Sequence, residues 1–204
     1  MPLQILGLNH NTAPLEIREQ VVFAGEDVPR ALQSLKALDG VDEAVLLSTC
    51  NRTEFYVITD DGGREQLRDW LQEQRHLGDA FNDSLFTLRD EDAIRHIFRV
   101  ACGLDSMVLG EPQILGQLKD AYRYGQEAES LGRRLSLLLQ HTFGVAKKIR
   151  TDTEIGVSPV SVASAAVNLA NQFFANFNKH TALLVGAGVT IELVAKHLTK
   201  KQVG

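Results

Sequence analysis

Residues 44–59, AVLLSTCNRTEFYVIT, decide the fold that this sequence predicts. Residues 44–47 form a short apolar segment, and residues 54–59 alternate large side chains between two faces, which is typical of a β-strand. The polar segment 48–53 then joins two strands and lies at the end of a sheet. We therefore expect a sheet to organise the amino-terminal part of the chain.

Further elements are predicted around this pair of strands. Residues 4–8 suit a third strand, Pro14 lies in the first turn of a short helix, and the polar residues 60–63 suit a turn. The spacing of apolar side chains predicts helices at 28–38, 65–75, 90–102, from about 112 past 122, and at 135–149. A small sheet with several helices predicts an α+β domain over residues 1–157.

The chain changes character after residue 157. Ser158 and Pro159 are a typical helix start, and the small, apolar residues that follow predict a long linker helix within 158–178. A strand at 181–185, a tight turn and a helix at 191–198 predict the first βα unit of a Rossmann-type domain. One such unit cannot bury a parallel sheet, so we expect residues 179–204 to be the start of a truncated domain.

Composition excludes several classes of protein. The 204 residues carry a net charge of −5 and 44% hydrophobic side chains, which excludes a disordered chain and a uniformly basic nucleic-acid binder. The sequence has no apolar run of membrane-span length, no secretory signal and too few cysteines for a disulfide framework. We expect a cytoplasmic protein without membrane contact. The stretch 133–150 is locally basic, which fits either a solvated helix face or a contact with phosphates.

Three stretches of the amino-terminal region carry side chains suited to chemistry. Cys50 lies in a polar loop beside Arg52, which favours the nucleophilic thiolate, although an ordinary turn with an incidental cysteine fits as well. Cys102 is expected in the core. His96 lies off the apolar stripe of its helix and is either a proton carrier or an ordinary polar residue. Residues 103–117 either bind an anion at a helix N-terminus or simply connect two helices.

A nucleotide-binding turn is predicted near the carboxyl-terminal end. Gly186, Ala187 and Gly188 stand between the predicted strand and helix, where backbone N–H groups can approach a pyrophosphate. Ile191 replaces the third glycine of the full pattern, so the pattern is incomplete. The cysteines lack zinc-ligand spacing, and we expect no metal site.

Five stretches together resemble one enzyme family. They are LGLNHNTAPLEIRE (6–19), LSTCNRTE (47–54), GLDSMVLGEPQILGQLKDAY (103–122), GVSPVSVASAAVNLA (156–170) and LLVGAGVTIELVAKHL (183–198). They occur over nearly the whole chain, and they closely resemble the glutamyl-tRNA reductases. The last stretch resembles the start of the NADPH domain of that family.

The resemblance implies a reaction and a set of residues. The family reduces glutamyl-tRNA with NADPH to glutamate-1-semialdehyde, the first step of tetrapyrrole (porphyrin and haem) biosynthesis. By resemblance Cys50 is the nucleophile that forms a thioester, and His96 is a second catalytic residue. The residues matching the substrate site are Thr49, Asn51, Arg52, Ser106, Glu111, Pro112, Gln113 and Gln117. Those matching the cofactor site are Gly186, Ala187, Gly188, Val189, Thr190 and Ile191.

The resemblance also implies partner proteins, and it limits the reaction steps that we expect of this chain. Its members are homodimers, and the aminomutase that takes the aldehyde product is a possible partner. Because most of the NADPH domain is missing, we expect this chain to bind substrate and acylate Cys50 without reducing the thioester. Two alternatives stay open: a non-catalytic module that binds glutamyl-tRNA or a protein, and a cysteine esterase using Cys50 and His96.

Overall fold

The computed structural model describes residues 2–75, 77–156, 162–174 and 176–203. Its centre is a four-stranded antiparallel sheet in the order β2-β3-β1-β4. The strands are β1 (Leu3–Asn9), β2 (Val41–Ser48), β3 (Arg52–Thr59) and β4 (Phe86–Arg89). The α-helices of the described residues are α1 (Leu15–Gln20), α2 (Asp27–Lys36), α3 (Asp61–Arg75), α4 (Asp90–Ala101), α5 (Gln113–Glu127), α6 (Arg133–Asp152), α7 (Val162–Phe173) and α8 (Val189–Lys200). The predicted α+β class is confirmed.

Helices cover both faces of the sheet. Alternate side chains of the central strands, such as Leu6 and Phe55, pack on one face against α2 and α3. Their neighbours Ile5 and Tyr56 pack on the other face against α4, α5 and α6. Because both faces are buried, all seven residues of β1 are buried, which explains why its sequence does not alternate with polar residues.

The register of the sheet places the polar segment 48–53 at one end. Arg52 pairs with Asn9 of β1, and Ser48 pairs with Thr53, so the turn between β2 and β3 lies beside the end of β1. The predicted position of this segment at the end of the sheet is confirmed. It is the part of the sheet that faces the start of α5 and the loop before it.

Two local predictions differ from the structure. Residues 60–63 were expected to form a turn, but α3 already begins at Asp61. The reason is that the Asp60 carboxylate accepts a hydrogen bond from the backbone N–H of Gly63 at 2.8 Å, which is an N-cap. Strand β4 was not predicted; it is four residues long and pairs only with β1.

The carboxyl-terminal part contains a pair of packed helices, α7 and α8. The strand predicted at 181–185 is not formed, and Leu183 and Val185 are 88% and 80% exposed. Within the described residues no other strand lies beside this segment, so it lacks the ladder partners that hold a parallel strand. The predicted helix start at Ser158 and Pro159 lies outside the described residues. Among those residues, no helix has both the length and the apolar character needed to cross a membrane.

Candidate active site

The loop that carries Cys50 is held by its own backbone and by one arginine. The Thr49 N–H donates to the carbonyl of Arg52 at 2.8 Å, and Thr49 Oγ1 accepts from the N–H groups of Asn51 and Arg52 at 3.1 Å. Arg18 of α1 donates to the carbonyl of Cys50 at 3.1 Å and to Asn51 Oδ1 at 2.9 Å. The loop is therefore fixed, while Cys50 itself remains exposed.

A cleft of about 260 Å³ opens beside Cys50, which we call the Cys50 cleft. Its walls come from the Cys50 loop, the loop before α5, the first turns of α5, and one turn each of α7 and α8. The predicted site residues that line it are Thr49, Cys50, Asn51, Arg52, Ser106, Glu111, Gln113, Gln117 and Thr190. Pro112 lies instead at the N-cap of α5, and His96 is not part of the lining.

Arg52 lines the Cys50 cleft, and its guanidinium is hydrogen-bonded to two acidic residues, Glu54 and Asp105. Its Nη1 donates to Glu54 Oε1 at 2.6 Å and to Asp105 Oδ2 at 3.1 Å, and its Nη2 donates to the carbonyl of Asp105. Burial lowers the pKa of Arg52, but Glu54 and Asp105 outweigh it and the pKa lies above its usual value. The N–H of Nε and the second hydrogen of Nη2 take part in no hydrogen bond within the described residues.

Glu54 joins Arg52 to His96. The Glu54 side chain is fully buried, and its Oε2 accepts from the Tyr56 hydroxyl at 2.9 Å and lies 3.1 Å from His96 Nε2. Burial raises the pKa of Glu54, but the His96 hydrogen bond and the Arg52 charge outweigh it, so the pKa lies below its usual value. Burial and the Glu54 carboxylate raise the pKa of Tyr56 well above its usual value, so its hydroxyl stays a donor.

His96 is placed by this network and by a ring contact. Its side chain is 12% exposed, and its ring lies edge-on to Phe86 of β4 at 5.4 Å. Since the Glu54 carboxylate is an acceptor, the His96 hydrogen lies on Nε2, and Nδ1 is the ring nitrogen left to accept a proton. His96 thus reaches the Cys50 cleft through Glu54 and Arg52.

One group of possible metal ligands occurs in the same place. Ligand atoms of Glu54, His96 and Asp105 lie within 4.8 Å of one another. The Arg52 guanidinium is hydrogen-bonded to both carboxylates, so a cation of the protein already supplies the positive charge there. This arrangement favours a hydrogen-bond network over a metal centre.

Arg150 of α6 fixes the loop before α5. Its Nη1 donates to the carbonyl of Gly110 at 3.2 Å and its Nη2 to the carbonyl of Glu111 at 2.6 Å. Arg150 was grouped by sequence with the basic stretch 133–150 as a contact for phosphates, but its guanidinium points inward to this loop. Arg133, Arg134, Lys147 and Lys148 are exposed as that hypothesis requires.

The predicted nucleotide-binding turn precedes α8. Gly186 has a φ of +124°, which glycine adopts readily, and Gly188 is the N-cap of the helix. A Cβ at Gly188 would have nothing within 4 Å, so the backbone at this helix N-terminus is open to a phosphate. These features allow an anionic group to approach the helix N-terminus. Ala187 lies in the same turn, Thr190 and Ile191 lie in the first turn of α8, and the side chain of Val189 lies outside the described residues.

The chain matches a known protein family over most of its length. A model of the family described as "Glutamyl-tRNAGlu reductase, N-terminal domain" matches residues 6–153. The chain belongs to the glutamyl-tRNA reductase family. The sequence resemblance is thereby confirmed.

Relatives in the glutamyl-tRNA reductase family cover the whole chain. The glutamyl-tRNA reductase of Stenotrophomonas maltophilia (strain K279a) is 56% identical and that of Xanthomonas oryzae pv. oryzae (strain MAFF 311018) is 54% identical, each over 203 residues. A solved structure, glutamyl-tRNA reductase from Methanopyrus kandleri, matches 98% of this chain with a TM-score of 0.69 and 33% identity. The chain spans 46% of both relatives and 47% of the solved chain.

The sequence did not point to the residues that form the hydrogen-bond network around Arg52. Glu54, Tyr56 and Asp105 were not among the candidates, nor was Arg18, which holds the Cys50 loop. One signal was present, because residues two apart on a strand share a face and Glu54 therefore shares one with Tyr56 and the apolar Ile58. A carboxylate on a buried face requires a partner.

Proposed function

We propose that this chain binds the glutamyl end of glutamyl-tRNA and accepts the glutamyl group on Cys50 as a thioester. In the full-length protein this step would serve the NADPH-dependent reduction to glutamate-1-semialdehyde that begins tetrapyrrole synthesis. One observation carries the proposal: the exposed Cys50 lies in a cleft lined by the polar residues that resemble the family's substrate site. Membership of the family supports the same assignment.

The proposed acyl transfer uses side chains of the Cys50 cleft. The Cys50 thiol gives up its proton and its sulfur attacks the ester carbonyl. The C–S bond forms, the C–O bond to the ribose breaks, and the ribose oxygen takes up a proton, which balances the one lost by the thiol, and leaves as the hydroxyl. Arg52 offers Nε and Nη2 to the glutamate carboxylate, because its other donors hold Glu54 and Asp105. His96 would carry a proton only through Nδ1, or act by orienting Glu54 and Arg52.

The remaining parts of the proposal concern the rest of the protein. Residues 1–157 would be the catalytic domain, 158–178 the linker, and 179–204 the first part of a Rossmann-type domain in which 186–191 hold NADPH. NADPH supplies a hydride when bound. Because the chain spans about half the length of its relatives, we assign reduction, homodimer formation and contact with the product aminomutase to the longer protein, in the cytoplasm.

An adduct experiment tests the proposal. The 204-residue chain is incubated briefly with glutamyl-tRNA and its intact mass is measured, alongside Cys50→Ser and Cys102→Ser. We expect a glutamyl adduct that hydroxylamine removes in the wild type and in Cys102→Ser, because Cys102 is buried, and none in Cys50→Ser.

The other outcomes separate the alternatives. Binding of glutamyl-tRNA without an adduct would contradict acylation by this chain and favour a binding module. Rapid turnover of simple esters that lack a glutamyl group, abolished in Cys50→Ser, would favour a cysteine esterase.

A further inference from the structure

A cavity of about 410 Å³ is lined by residues of α5 and α6, and we call it the Lys119 cavity. Leu115 and Lys119, one turn apart, form its α5 wall. Gln113 and Gln117, which line the Cys50 cleft, are offset from them by two residues, or about 200° around the helix. The Lys119 cavity therefore lies on the opposite face of α5 from the Cys50 cleft.

Three positive charges meet at the Lys119 cavity. Lys119, Lys147 and Arg150 line it, and no Asp or Glu is among its described lining residues. Within the described residues neither lysine forms an ion pair, whereas Lys148, the next residue in sequence, is paired with Asp152. Since the whole chain has a net charge of −5, this local excess of positive charge does not follow from composition. An anion in the cavity would offset the repulsion among the three groups.

The two lysines are the groups that can bind an anion directly. Nζ of Lys119 lies over the Phe143 ring, 6.0 Å from its centroid, so a cation–π contact holds this ammonium group at the cavity wall. Lys147 follows Phe143 by one helical turn and lines the same cavity. Arg150 adds its charge, while its guanidinium holds two carbonyls of the loop before α5.

Gly144 leaves room in the cavity for a ligand. Glycine is less favourable than alanine inside a helix, so a glycine in the middle of α6 requires a reason. Its φ is not positive, and a Cβ at this position would meet nothing within 4 Å. Neither backbone conformation nor packing within the chain therefore requires a glycine. Because Gly144 lines the cavity beside Lys147, the missing side chain lets an anion approach the helix closely.

We infer that the Lys119 cavity binds a phosphate group. A phosphate carries up to two negative charges and several acceptor oxygens, which suits two lysines that act as flexible point charges with three donors each. A carboxylate has one charge and two oxygens, so it would use the same groups less fully. The phosphate belongs either to an RNA backbone or to a small phosphorylated molecule. The inference goes beyond the proposed function, because it involves neither Cys50 nor acyl transfer.

Titration with inorganic phosphate, followed by phosphorus NMR at constant ionic strength, tests the inference. Two variants of the 204-residue chain change the cavity in different ways. The double variant Lys119→Ala and Lys147→Ala removes both ammonium groups. Gly144→Trp fills the space and keeps every charge, and its position is exposed, so the larger side chain is accommodated without displacing the core.

Each variant has a matched control. The double variant Lys196→Ala and Lys200→Ala removes the same charge from two exposed lysines of α8. Gly116→Trp adds the same side chain at an exposed glycine of α5 that lines neither the Lys119 cavity nor the Cys50 cleft. The controls therefore separate the effect of the cavity from those of net charge and added bulk.

We expect the wild type and both controls to bind phosphate with a Kd of ~1 mM, and both cavity variants to bind it about tenfold more weakly. Absence of phosphate binding by the wild type would overturn the inference. Equal binding by all five proteins would also overturn it, as would binding of acetate by the wild type as tight as that of phosphate.

A further titration with tRNA that carries no aminoacyl group distinguishes the two sources of phosphate. Displacement of the inorganic phosphate from the wild type would assign the cavity to an RNA backbone. Phosphate that stays bound beside tRNA would assign it to a small phosphorylated molecule, and either result supports a phosphate site. Because no aminoacyl group is present, these titrations do not depend on the adduct at Cys50, and the two proposals can fail separately.

Discussion

Arg52 and Glu54 form a buried ion pair in the wall of the Cys50 cleft, with 2.6 Å between Nη1 and Oε1 and side-chain exposures of 2% and 0%. The two residues are neighbours on one face of β3, so the strand that ends the Cys50 loop also supplies the partner of its arginine. The pair is surrounded by Asp105, Tyr56 and His96. The edge of Arg52 that we propose for substrate binding is therefore positioned by these surrounding groups.

Glu54→Gln should destabilise the chain strongly. It leaves the Arg52 charge without its main buried partner, and removing one member of a buried pair costs about 3–5 kcal/mol. Urea unfolding of the variant and the wild type measures the change. The control is Glu91→Gln, which breaks an exposed pair with Arg95 and should cost no more than about 0.5 kcal/mol. Equal losses of unfolding free energy in the two variants would show that the buried pair stabilises the fold no more than the exposed pair does.

The stability of the wild type should fall in acid through Glu54. Its pKa in the folded state lies below the usual 4.5, so the unfolded chain takes up a proton first as the pH falls. Stability from this group is thus complete above pH 4.5 and is lost below it, by up to about 1.4 kcal/mol per pH unit. Urea unfolding between about pH 6 and 3.5 tests this. Glu54→Gln should show a shallower decline than Glu91→Gln, and parallel curves would contradict the assignment.

Gly7→Ala should disturb the Arg52–Glu54 pair through close packing. Gly7 pairs with Glu54 across the β1–β3 ladder, and a Cβ there would lie 2.8 Å from Glu54 Cγ and 3.0 Å from the carbonyl of Thr53. We expect a loss of about 1–3 kcal/mol in unfolding free energy and slower acylation of Cys50. Gly144→Ala is the control, because its Cβ meets nothing within 4 Å and helix α6 should gain up to about 1 kcal/mol. A stable, fully active Gly7→Ala would refute this account.

Sequence patterns were sufficient for the elements whose residues bury a regular face. The alternation in 54–59 predicted β3, and helical spacing predicted α2, α4, α5 and α6 within a few residues. Strand β4 could not be found in this way, because it is an edge strand of four residues that depends on its pairing with β1. The start of α3 was not predicted, because Gly62 and Gly63 are typical of a turn. In the structure the N-cap hydrogen bond of Asp60 starts the helix there.

The residues of the candidate site were also predicted only in part. Motifs pointed to Cys50 and to the polar residues around it, and the structure brings most of them into one cleft. Asp105 and Arg150 act through distant contacts, 53 residues from Arg52 and 39 residues from Glu111, that no local pattern records. The strand predicted at 181–185 shows the opposite error, since a buried-type sequence forms a strand only beside another strand.

The exposed basic residues of α6 should contact tRNA phosphates. Arg133 and Lys147 lie 14 positions apart, which returns them to nearly the same side of the helix about 21 Å apart, and Arg134 and Lys148 repeat that spacing. Arg150 is excluded because it holds the carbonyls of Gly110 and Glu111. The basic surface is thus smaller than the sequence suggested, and it lies on one helix.

Alanine at all four exposed positions should weaken glutamyl-tRNA binding and make the negative slope of log K against log salt shallower by about 3.6, since each duplex phosphate contact contributes ~0.9. Binding is measured by fluorescence titration at several salt concentrations. The control removes the same charge from α2, α3 and α4 through alanine at Arg30, Arg64, Arg68 and Arg95. If both variants lose the same slope, the effect is one of net charge rather than contact; if neither does, α6 is an ordinary solvated helix face.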